Sequence, residues 1–447
     1  MNPTLSLTKD PIPSLIKKIA IPASVGTFFQ TMFNLVDTFF AGKISPEALS
    51  ALAKTFPIYF IIIAACVGVS VAGTSLIANC IGEKNENKVV GYFAQTIIYG
   101  IFVSALITIT GLVFSSSILK LMGSNDQVVL LGLKYTNLIF AGSIIFITIV
   151  ALNSLLHAEG DTKTYRNVLI LSFFLNIFLN PLFIFGFAFI PAMGITGIAL
   201  SIIIAQTIGL FIILNKIIKS NRLKNLSIKN FYPNYKLLKN LFFQSIPISV
   251  ALLLISVGNF IVFFYIGRFG EYATAGYGSA VRFEQILLLP VLGLNTAIIS
   301  IVGQNFGARD FIRVKESYFK AILYGFILMT IAGLIIFLSA DKIVRVFSDN
   351  PNVISFGTTY LRISALIFPV YPIFFISNGF FMAIKKPIYS MYLNIIRYVF
   401  LPIPVIITAN MIGGKFESFF WSSCFFHWIS MIILLTFVSS YIKKNLN

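Results

Sequence analysis

The sequence predicts an all-α polytopic membrane protein, and its composition and hydrophobic pattern carry that prediction. Of its 447 residues, 57% are hydrophobic and 11% are charged, whereas soluble domains carry about 25% charged residues. Apolar runs of about 20 residues, the length that an α-helix needs to cross a bilayer, recur along the whole chain between short polar loops. A soluble globular domain is therefore excluded.

Twelve of these runs are long enough to be transmembrane helices. The three cysteines all lie within them without metal-binding spacing, and are interpreted as small packing residues. The predicted spans are residues 19–41, 55–81, 91–114, 128–155, 166–187, 194–215, 241–266, 278–304, 317–340, 354–382, 388–411 and 417–442.

The net charge of +18 follows the topology of the spans rather than a nucleic-acid partner. With the N-terminus placed in the cytoplasm, most lysines and arginines fall in cytoplasmic loops and few fall on the other side. This asymmetry is the positive-inside rule. It predicts a multi-pass protein of the plasma (inner) membrane with both termini cytoplasmic.

One long hydrophilic linker divides the chain at its midpoint. Between Lys216 and Lys239 it holds seven basic residues and no acidic one. Such a segment could bind lipid head groups or act as a solvated cytoplasmic connector. The chain is thus predicted to have an N-terminal lobe of residues 1–215 with spans 1–6, a basic cytoplasmic linker of residues 216–240, and a C-terminal lobe of residues 241–447 with spans 7–12.

The two halves of the chain are related by an internal repeat. A shift of 225 residues aligns them without a gap over about 80 residues. Each half has six spans, an even number, so the repeats are related by an axis along the membrane normal. The shift pairs Pro22 with Pro247, Ser24 with Ser249, Asn34 with Asn259, Gly42 with Gly267, Gly68 with Gly293, Gly82 with Gly307, and Tyr99-Gly100 with Tyr324-Gly325.

This architecture of two six-helix lobes favours a secondary transporter. A cleft between such lobes, opening alternately to either side, would carry the substrate; the alternative is a duplication that only builds a large bundle. Enzyme motifs are missing from the sequence, which has no Gly-rich phosphate loop, no HExxH motif and no ATP-binding domain. Transport would therefore draw its energy from an ion gradient, without a cofactor.

A polar stripe in the first span is the strongest candidate functional feature. Gln30, Asn34 and Asp37 are spaced i, i+4 and i+7, so they share one face of an otherwise aromatic and aliphatic helix. A central aspartate costs about 2.5 to 3.5 kcal/mol in a membrane helix, so it indicates function by default. With no cation nearby in its own helix, Asp37 could take up and release a proton or hold a metal cation such as Na+. The alternative is a structural aspartate that hydrogen-bonds Asn34.

Partners for Asp37 are expected from the fifth and sixth spans of the same lobe. Ser172, Asn176 and Asn180 share one face of span five, and Thr196 opens span six. Carboxylate, amide and hydroxyl oxygens suit a proton or a hard cation. The alternative role of these residues is the interhelical hydrogen bonding that packs membrane helices.

The C-terminal half carries a different set of intramembrane charges. Val262 stands at the position of the first-span aspartate, so that acid belongs to the N-terminal lobe alone. Glu284 has Arg282 two residues away, and this arginine is expected to keep it ionised and structural. Arg397 could line the cleft or pair with Glu284.

Long stretches of the chain match a known family of transporters. They are NLVDTFFAGKISPEALSAL at 34–52, GTSLIANCIGEKN at 73–85, HAEGDTK at 157–163, NIFLNPLFIFG at 176–186, VRFEQILLLPVLGLNTAIISIVGQNFGARD at 281–310, NGFFMAIKKP from Asn378 and RYVFLPIPV from Arg397. On these stretches the chain resembles the multidrug and toxic compound extrusion (MATE) transporters, and most of all the branch of the DNA-damage-inducible F proteins.

The resemblance implies twelve spans in two bundles and export of amphipathic, often cationic, compounds in exchange for H+ or Na+. It places Asp37 and Asn176 on cation-site positions of the family. Asn180 departs from the pattern, because many members of the branch carry aspartate there; the change keeps a carbonyl ligand and removes a titratable group. The acids that another bacterial branch carries in spans seven and ten are absent, and Tyr371 lies near the second position, so no C-lobe cation site is expected.

We therefore expect a secondary active antiporter that works by alternating access, and not an enzyme. The alternative is a flippase for a lipid or lipid-linked sugar, which would need a cleft richer in arginine and lysine. Expected partners are small amphipathic or cationic substrates and the lipid bilayer, with no nucleic acid, and the chain is expected to be a monomer. The predicted cation or proton site comprises Asp37, Asn34, Asn176, Asn180 and Thr196. The predicted substrate cleft comprises Gln30, Asn259, Arg282, Gln285, Tyr371 and Arg397.

Overall fold

The computed structural model describes residues 6–123 and 125–446, apart from the side chain of Asn221, and most of them are helical. Residues 1–5, 124 and 447, which fall within the predicted lobes, lie outside the described residues. The α-helices of the described chain are α1 Ile12–Ile44, α2 Pro46–Gly82, α3 Glu86–Leu121, α4 Asp126–Ala141, α5 Ser143–Ala158, α6 Lys163–Phe185, α7 Ile195–Ile218, α8 Tyr235–Ile266, α9 Glu271–Leu287, α10 Leu289–Gly307, α11 Phe311–Arg345, α12 Pro351–Ala365, α13 Tyr371–Ala383, α14 Pro387–Ile395, α15 Pro402–Met411 and α16 Phe416–Asn445.

The turns that precede α3 and α11 are built alike. Lys84 and Arg309, which are 225 residues apart, both adopt a left-handed conformation, with φ of 56° and 60°. The residues that follow them, Asn85 and Asp310, cap the two helices by accepting a hydrogen bond from the backbone N–H three residues on. Such caps satisfy N–H groups that a helix start leaves free. The repeat in the sequence is therefore also a repeat of local structure.

Twelve spans can be traced through the described helices, and the predicted all-α membrane fold is confirmed. Ten helical segments are long and apolar enough to cross a membrane alone, and two pairs of shorter helices qualify when each pair is counted as one bent span. The pair α4 and α5 is bent by 42°, and the pair Pro351–Ala365 and Phe368–Ala383 by 44°. The second bend coincides with Pro369, which has no N–H to continue a helical ladder.

The first span begins earlier than predicted. Its helix starts at Ile12, whereas the hydrophobic run starts at residue 19. Lys17 and Lys18 end the apolar run without ending the helix, because lysine is a good helix former and its exposed side chain can reach water. Hydrophobicity therefore marked the apolar part of the helix and not its full length.

Contacts divide the described chain into two units. One is Val25–Ser249, and the other joins the described residues up to Ser24 to those from Val250 onward. Both boundaries fall inside long helices, so α1 and α8 each begin in one unit and end in the other. The contact units thus differ from lobes divided at the linker, because the first halves of these two helices pack on helices of the opposite repeat.

Two equivalent glycines allow these first halves to pack closely. A Cβ on Gly293 of α10 would lie 2.1 Å from Ser24 Oγ and 2.5 Å from the carbonyl oxygen of Ala20. A Cβ on Gly68 of α2 would lie 2.1 Å from Ser249 Oγ. The repeat shift of 225 residues separates the two glycines and also the two serines. At both positions the helices are closer than a larger residue permits.

The basic linker is folded onto α3. Gln95, which is 1% exposed, donates from Nε2 to the carbonyl oxygens of Asn230 and Tyr232, both at 2.8 Å. Its Oε1 accepts a hydrogen bond from the backbone N–H of Asn234 at 3.0 Å. One buried side chain therefore fixes three backbone groups of the linker, so a fully solvated connector is the wrong description of this segment.

Arg222 provides a second attachment for the linker. Its Nη1 lies 2.5 Å from Glu86 Oε1, and its Nε lies 2.8 Å from Glu159 Oε1. Burial raises the pKa of Glu159, and the neighbouring Arg222 opposes that rise. The linker is thus held to the same unit by both a buried amide and a pair of carboxylates.

Candidate cation site and substrate pocket

Asp37 is a buried acid held by two asparagines. It lies in α1 and is only 5% exposed. Its Oδ1 accepts hydrogen bonds from Nδ2 of Asn176 and Nδ2 of Asn180, each at 2.9 Å. Asn180 also donates to Oδ1 of Asn176 at 2.5 Å. The three side chains form one connected polar cluster inside the unit of residues 25–249.

The cluster follows from the spacing of polar residues on two helices. Asn176 and Asn180 are one turn apart in α6, so their side chains leave the helix on the same face. Pro181 follows directly and has no backbone N–H, so one carbonyl of the preceding turn has no helical donor. The face of α6 that meets Asp37 is therefore unusually rich in oxygen acceptors for a membrane helix.

A small pocket lies along the same two helices. Gln30 and Asn34 line it from α1, at about two turns and one turn before Asp37. Ser172 lines it from α6, one turn before Asn176. The pocket therefore adjoins the carboxylate cluster, and the same polar faces of α1 and α6 line both. The lining residues are Gln30, Phe33, Asn34, Tyr59, Leu169, Ser172, Ile202 and Gln206.

Two predicted members of the cation site do not bond to Asp37. Asn34 is exposed and faces the cavity. Thr196, near the start of α7, is partly exposed and makes no hydrogen bond to Asp37 among the described residues. The hydrogen-bonded set is therefore narrower than predicted. Conversely, Tyr59 and Gln206 line the pocket and were missed, since each is an isolated polar group in an apolar run.

Two oxygen atoms of the cluster remain available. Asp37 Oδ2 accepts no hydrogen bond from the described side chains or backbone, and Asn180 Oδ1 is buried without a partner. Carboxylate and amide oxygens are ligands that hard cations prefer. Within the described ranges, no group of three or more His, Cys, Asp or Glu side chains is placed to hold a metal ion. The cluster can take up one proton or one hard cation.

Glu284 is the buried acid of the other unit. It lies in α9 and is 7% exposed. Its Oε1 accepts a hydrogen bond from the Tyr371 hydroxyl at 2.8 Å, and its Oε2 accepts one from the Tyr360 hydroxyl. Arg282, the expected neighbour, is exposed and does not pair with it. That prediction was wrong because residues two apart on a helix point to different sides.

Arg397 lies beside this acid in an unusual stretch of helix. The segment Ile396–Phe400 is π-helical. The Arg397 guanidinium carbon is 4.2 Å from the ring centroid of Phe374 and 4.9 Å from that of Tyr371. It interacts electrostatically with Glu284 but forms no ion pair with it. The structure thus brings together Tyr371 and Arg397, which were predicted for the cleft, and Glu284, which was not.

The remaining predicted cleft residues join neither cluster. Asn259, Arg282 and Gln285 are exposed side chains of α8 and α9, and they form no hydrogen bond with any described residue. Tyr360 was missed by the sequence prediction. A tyrosine in an aromatic-rich helix gives no signal until a buried carboxylate is placed opposite it.

Both halves of the chain match the MatE family. Its family profile matches residues 22–182 and residues 247–408. The two matched segments begin 225 residues apart, at the paired prolines Pro22 and Pro247. The profile therefore recognises the repeat in the same register in which the glycines align.

Relatives match most of the chain at low identity. Multidrug export protein MepA of Staphylococcus aureus is 21% identical over 407 residues, covering 91% of this chain and 89% of the relative. Probable multidrug resistance protein NorM of Thermotoga maritima is 26% identical over 367 residues, covering 80% and 78%. FAD transporter of Shewanella oneidensis is 23% identical over 411 residues, covering 91% and 90%.

Solved structures share the fold. "Crystal structure of MATE in complex with MaD5" aligns with a TM-score of 0.90 at 24% identity over 99% of both chains. "Outward-facing conformation of a multidrug resistance MATE family transporter of the MOP superfamily" aligns with a TM-score of 0.90 at 22% identity, also over 99% of both chains. The helical arrangement of this chain is therefore that of a known transporter fold.

Proposed function

Since this chain belongs to the MatE family of membrane transporters, we propose that it is a secondary active antiporter. It exports amphipathic, often cationic, organic compounds in exchange for H+ or Na+ by alternating access. The observation that supports this function best is the Asp37 cluster, with a small polar pocket next to it on the same helices. The ion at the carboxylate and the substrate in the pocket would both contact α1 and α6.

In this proposal the coupling ion binds at Asp37 Oδ2. Oδ1 already accepts two amide N–H groups, so a proton is taken up at the other oxygen. For Na+, Asn180 Oδ1 supplies a second ligand. Neutralising the carboxylate weakens the charge-assisted bonds from the two asparagines, because hydrogen bonds to an ionised acceptor are about twice as strong as neutral ones.

Coupling follows if the ion and the substrate favour different arrangements of α1 and α6. Both helices line the pocket and both carry the cluster, so loosening the contact at Asp37 changes the walls that hold the substrate. An ion can drive transport only through such a difference in affinity between two states. The pocket wall of amide, hydroxyl and aromatic groups suits amphipathic compounds.

The placement in the cell is part of the same proposal. Exposed lysines cluster in the linker, which the positive-inside rule assigns to the cytoplasm. We therefore place both termini in the cytoplasm and the protein in the plasma (inner) membrane, working as a monomer. The names of MepA and NorM support multidrug compounds as the substrates.

The direct test is efflux of a fluorescent lipophilic cation from proteoliposomes. A pH gradient and then a Na+ gradient would be imposed on the parent protein and on Asp37→Asn. We expect one gradient to drive export by the parent, and the variant to lose that response while keeping the parent's melting temperature within a few degrees. Asn at 37 retains the size of the side chain and removes its charge.

Two controls separate coupling from folding. Thr38 is next to Asp37, and its hydroxyl donates only to the backbone of its own helix. The Thr38→Val variant should therefore export normally. Downhill substrate movement without an ion gradient reports whether the pocket still works in Asp37→Asn. Gradient-driven export that survives in Asp37→Asn would rule out this coupling site.

A further inference from the structure

Arg397 occupies a place where an arginine is costly. It stands near the middle of the span Pro387–Met411, and charged side chains at membrane depth cost several kcal/mol unless they serve a purpose. The helix is locally π-helical at Ile396–Phe400. Such segments occur mostly as short insertions, frequently at functional sites, and they alter the direction in which a side chain leaves the helix.

The guanidinium is fixed by aromatic rings and not by hydrogen bonds. It stacks on Phe374 and lies near Tyr371 and Tyr398, with distances from its central carbon to the ring centroids of 4.2, 4.9 and 5.6 Å. Its Nη1 is buried and has no acceptor, and none of its nitrogens bonds to a described residue. A buried charged donor without an acceptor is unfavourable and calls for an explanation.

The acid that could neutralise Arg397 is engaged elsewhere. Both oxygens of Glu284 accept tyrosine hydroxyls, one from Tyr360 and one from Tyr371. Tyr371 therefore has two roles, since its hydroxyl occupies the acid while its ring supports the guanidinium. The guanidinium of Arg397 therefore has no acceptor among the described residues.

We propose that Arg397 binds an oxyanion, a carboxylate or phosphate group, on an aromatic compound that the protein transports. The planar guanidinium presents its donors in a fork that matches such a group at two points. The inference rests on the proposed transport function and adds a substrate class to it.

A matched pair of dyes tests this site directly. Rhodamine 110 carries a free carboxylate, and rhodamine 123 is its methyl ester with the same ring system. Binding of each would be measured by fluorescence polarisation to the full chain in phosphatidylcholine nanodiscs, with no ion gradient. For Arg397→Gln we expect rhodamine 110 to bind about 10- to 100-fold more weakly, as for loss of a charged hydrogen bond, while rhodamine 123 changes less than about twofold.

Further variants separate binding from folding and from transport. Arg397→Lys keeps the charge without the fork and should recover only part of the rhodamine 110 affinity. Asp37→Asn, in which the transport function is expected to fail, should retain the preference for the carboxylate. Phe374→Leu removes the ring on which the guanidinium stacks and should weaken rhodamine 110 more than rhodamine 123.

Three outcomes would overturn the proposal. One is equal loss of both dyes in Arg397→Gln, which would mark the arginine as a packing residue. Another is no loss of either dye. The third is full displacement of rhodamine 110 when phosphatidylglycerol is added to the nanodiscs, since a lipid head group would then be the occupant in place of a transported compound.

Discussion

The number of ionisable side chains in the Asp37 cluster limits how many coupling ions it can bind in the proposed mechanism. Asp37 is its one carboxylate, and its two hydrogen-bond donors are both amides. The amide of Asn180 supplies an acceptor oxygen without adding a charge that must be neutralised, so in the proposed mechanism the cluster takes up a single proton or a single cation.

Placing aspartate at this position should raise the ion stoichiometry. In Asn180→Asp a second carboxylate would stand next to Asp37 Oδ1, at a position now 2.9 Å away. Two carboxylates this close cannot both remain charged and unpaired, so the pair must bind one further proton or cation. We expect one more positive charge exchanged per transported molecule, measured as the ion gradient that just balances an opposing substrate gradient in proteoliposomes. Asn180→Ala is the uncharged control, and an unchanged ratio in Asn180→Asp contradicts the prediction.

How far the sequence could predict this site depends on the range of the interaction. The polar stripes of α1 and α6 are local, because residues four apart share a helix face, and the sequence predicted both. The sequence also named Asn176 and Asn180 as partners of Asp37, and both donate to its Oδ1. The partners of Glu284 were not predicted, because Tyr360 and Tyr371 lie far along the chain and only tertiary packing brings them to the acid.

The two glycines at which helices approach closely can be compared directly, because they occupy equivalent positions of the repeat. Gly68→Ala and Gly293→Ala introduce the same methyl group at equivalent positions. At Gly68 the nearest backbone atom, the carbonyl oxygen of Ser245, lies 3.0 Å from the added methyl, whereas at Gly293 the carbonyl oxygen of Ala20 lies at 2.5 Å. We expect Gly293→Ala to destabilise the protein by about 1–3 kcal/mol, as overpacking does, and Gly68→Ala by less, measured by thermal unfolding in detergent.

Removing the facing serine hydroxyl provides the control for both variants. Gly68→Ala with Ser249→Ala should regain most of the lost stability, since the remaining neighbours, Ser245 Oγ and its carbonyl oxygen, lie at 2.9 and 3.0 Å. Gly293→Ala with Ser24→Ala should stay destabilised, because the carbonyl of Ala20 remains. Equal rescue in both repeats would show that the backbone contact does not matter.

The attachment of the linker to α3 predicts its resistance to proteases. Gln95→Leu keeps the approximate size of the side chain and leaves three linker backbone groups without their partner. Each of these partly buried hydrogen bonds contributes about 0.5–1.5 kcal/mol, so the linker should detach. We expect trypsin to cut at Lys224 and Lys229 at least about tenfold faster in detergent. Gln95→Glu, which keeps the acceptor and loses both donors, should be intermediate, and parent-like cleavage of Gln95→Leu would contradict the assignment.

Helix ends and bends show what hydrophobicity can and cannot predict. The apolar runs located all twelve spans, because burial in lipid requires about 20 apolar residues whatever the neighbours are. They did not show that α1 extends back to Ile12, since lysines at a helix end can reach water. The 42° bend between α4 and α5 was likewise hidden, because it falls within a continuous apolar run.

The two halves of the molecule form a repeat that shares local backbone features and differs in its charged clusters. The same shift relates the glycines of close approach, the left-handed turns before α3 and α11, and the matched family segments. The charged clusters do not follow it. One unit holds a carboxylate bonded by amides, and the other holds a carboxylate bonded by tyrosines beside a guanidinium.

This asymmetry predicts that neutralising the two acids has opposite effects. Glu284→Gln keeps an acceptor oxygen for one tyrosine and loses the other, so a loss of about 1–3 kcal/mol in stability is expected. Since coupling is proposed at Asp37, gradient-driven export by this variant should stay within about threefold of the parent. Asp37→Asn should show the reverse, with stability nearly kept and gradient-driven export lost.

Export in proteoliposomes and thermal unfolding, measured on the same four proteins, would establish the assignment. The set is the parent, each single variant and the double variant. If coupling lies in one unit, the double variant exports no differently from Asp37→Asn and melts no differently from Glu284→Gln, because the two acids lie in separate units and their effects should add. Loss of gradient response in Glu284→Gln would instead place a second coupling site in the C-terminal unit, and the two tyrosines would then be its gate.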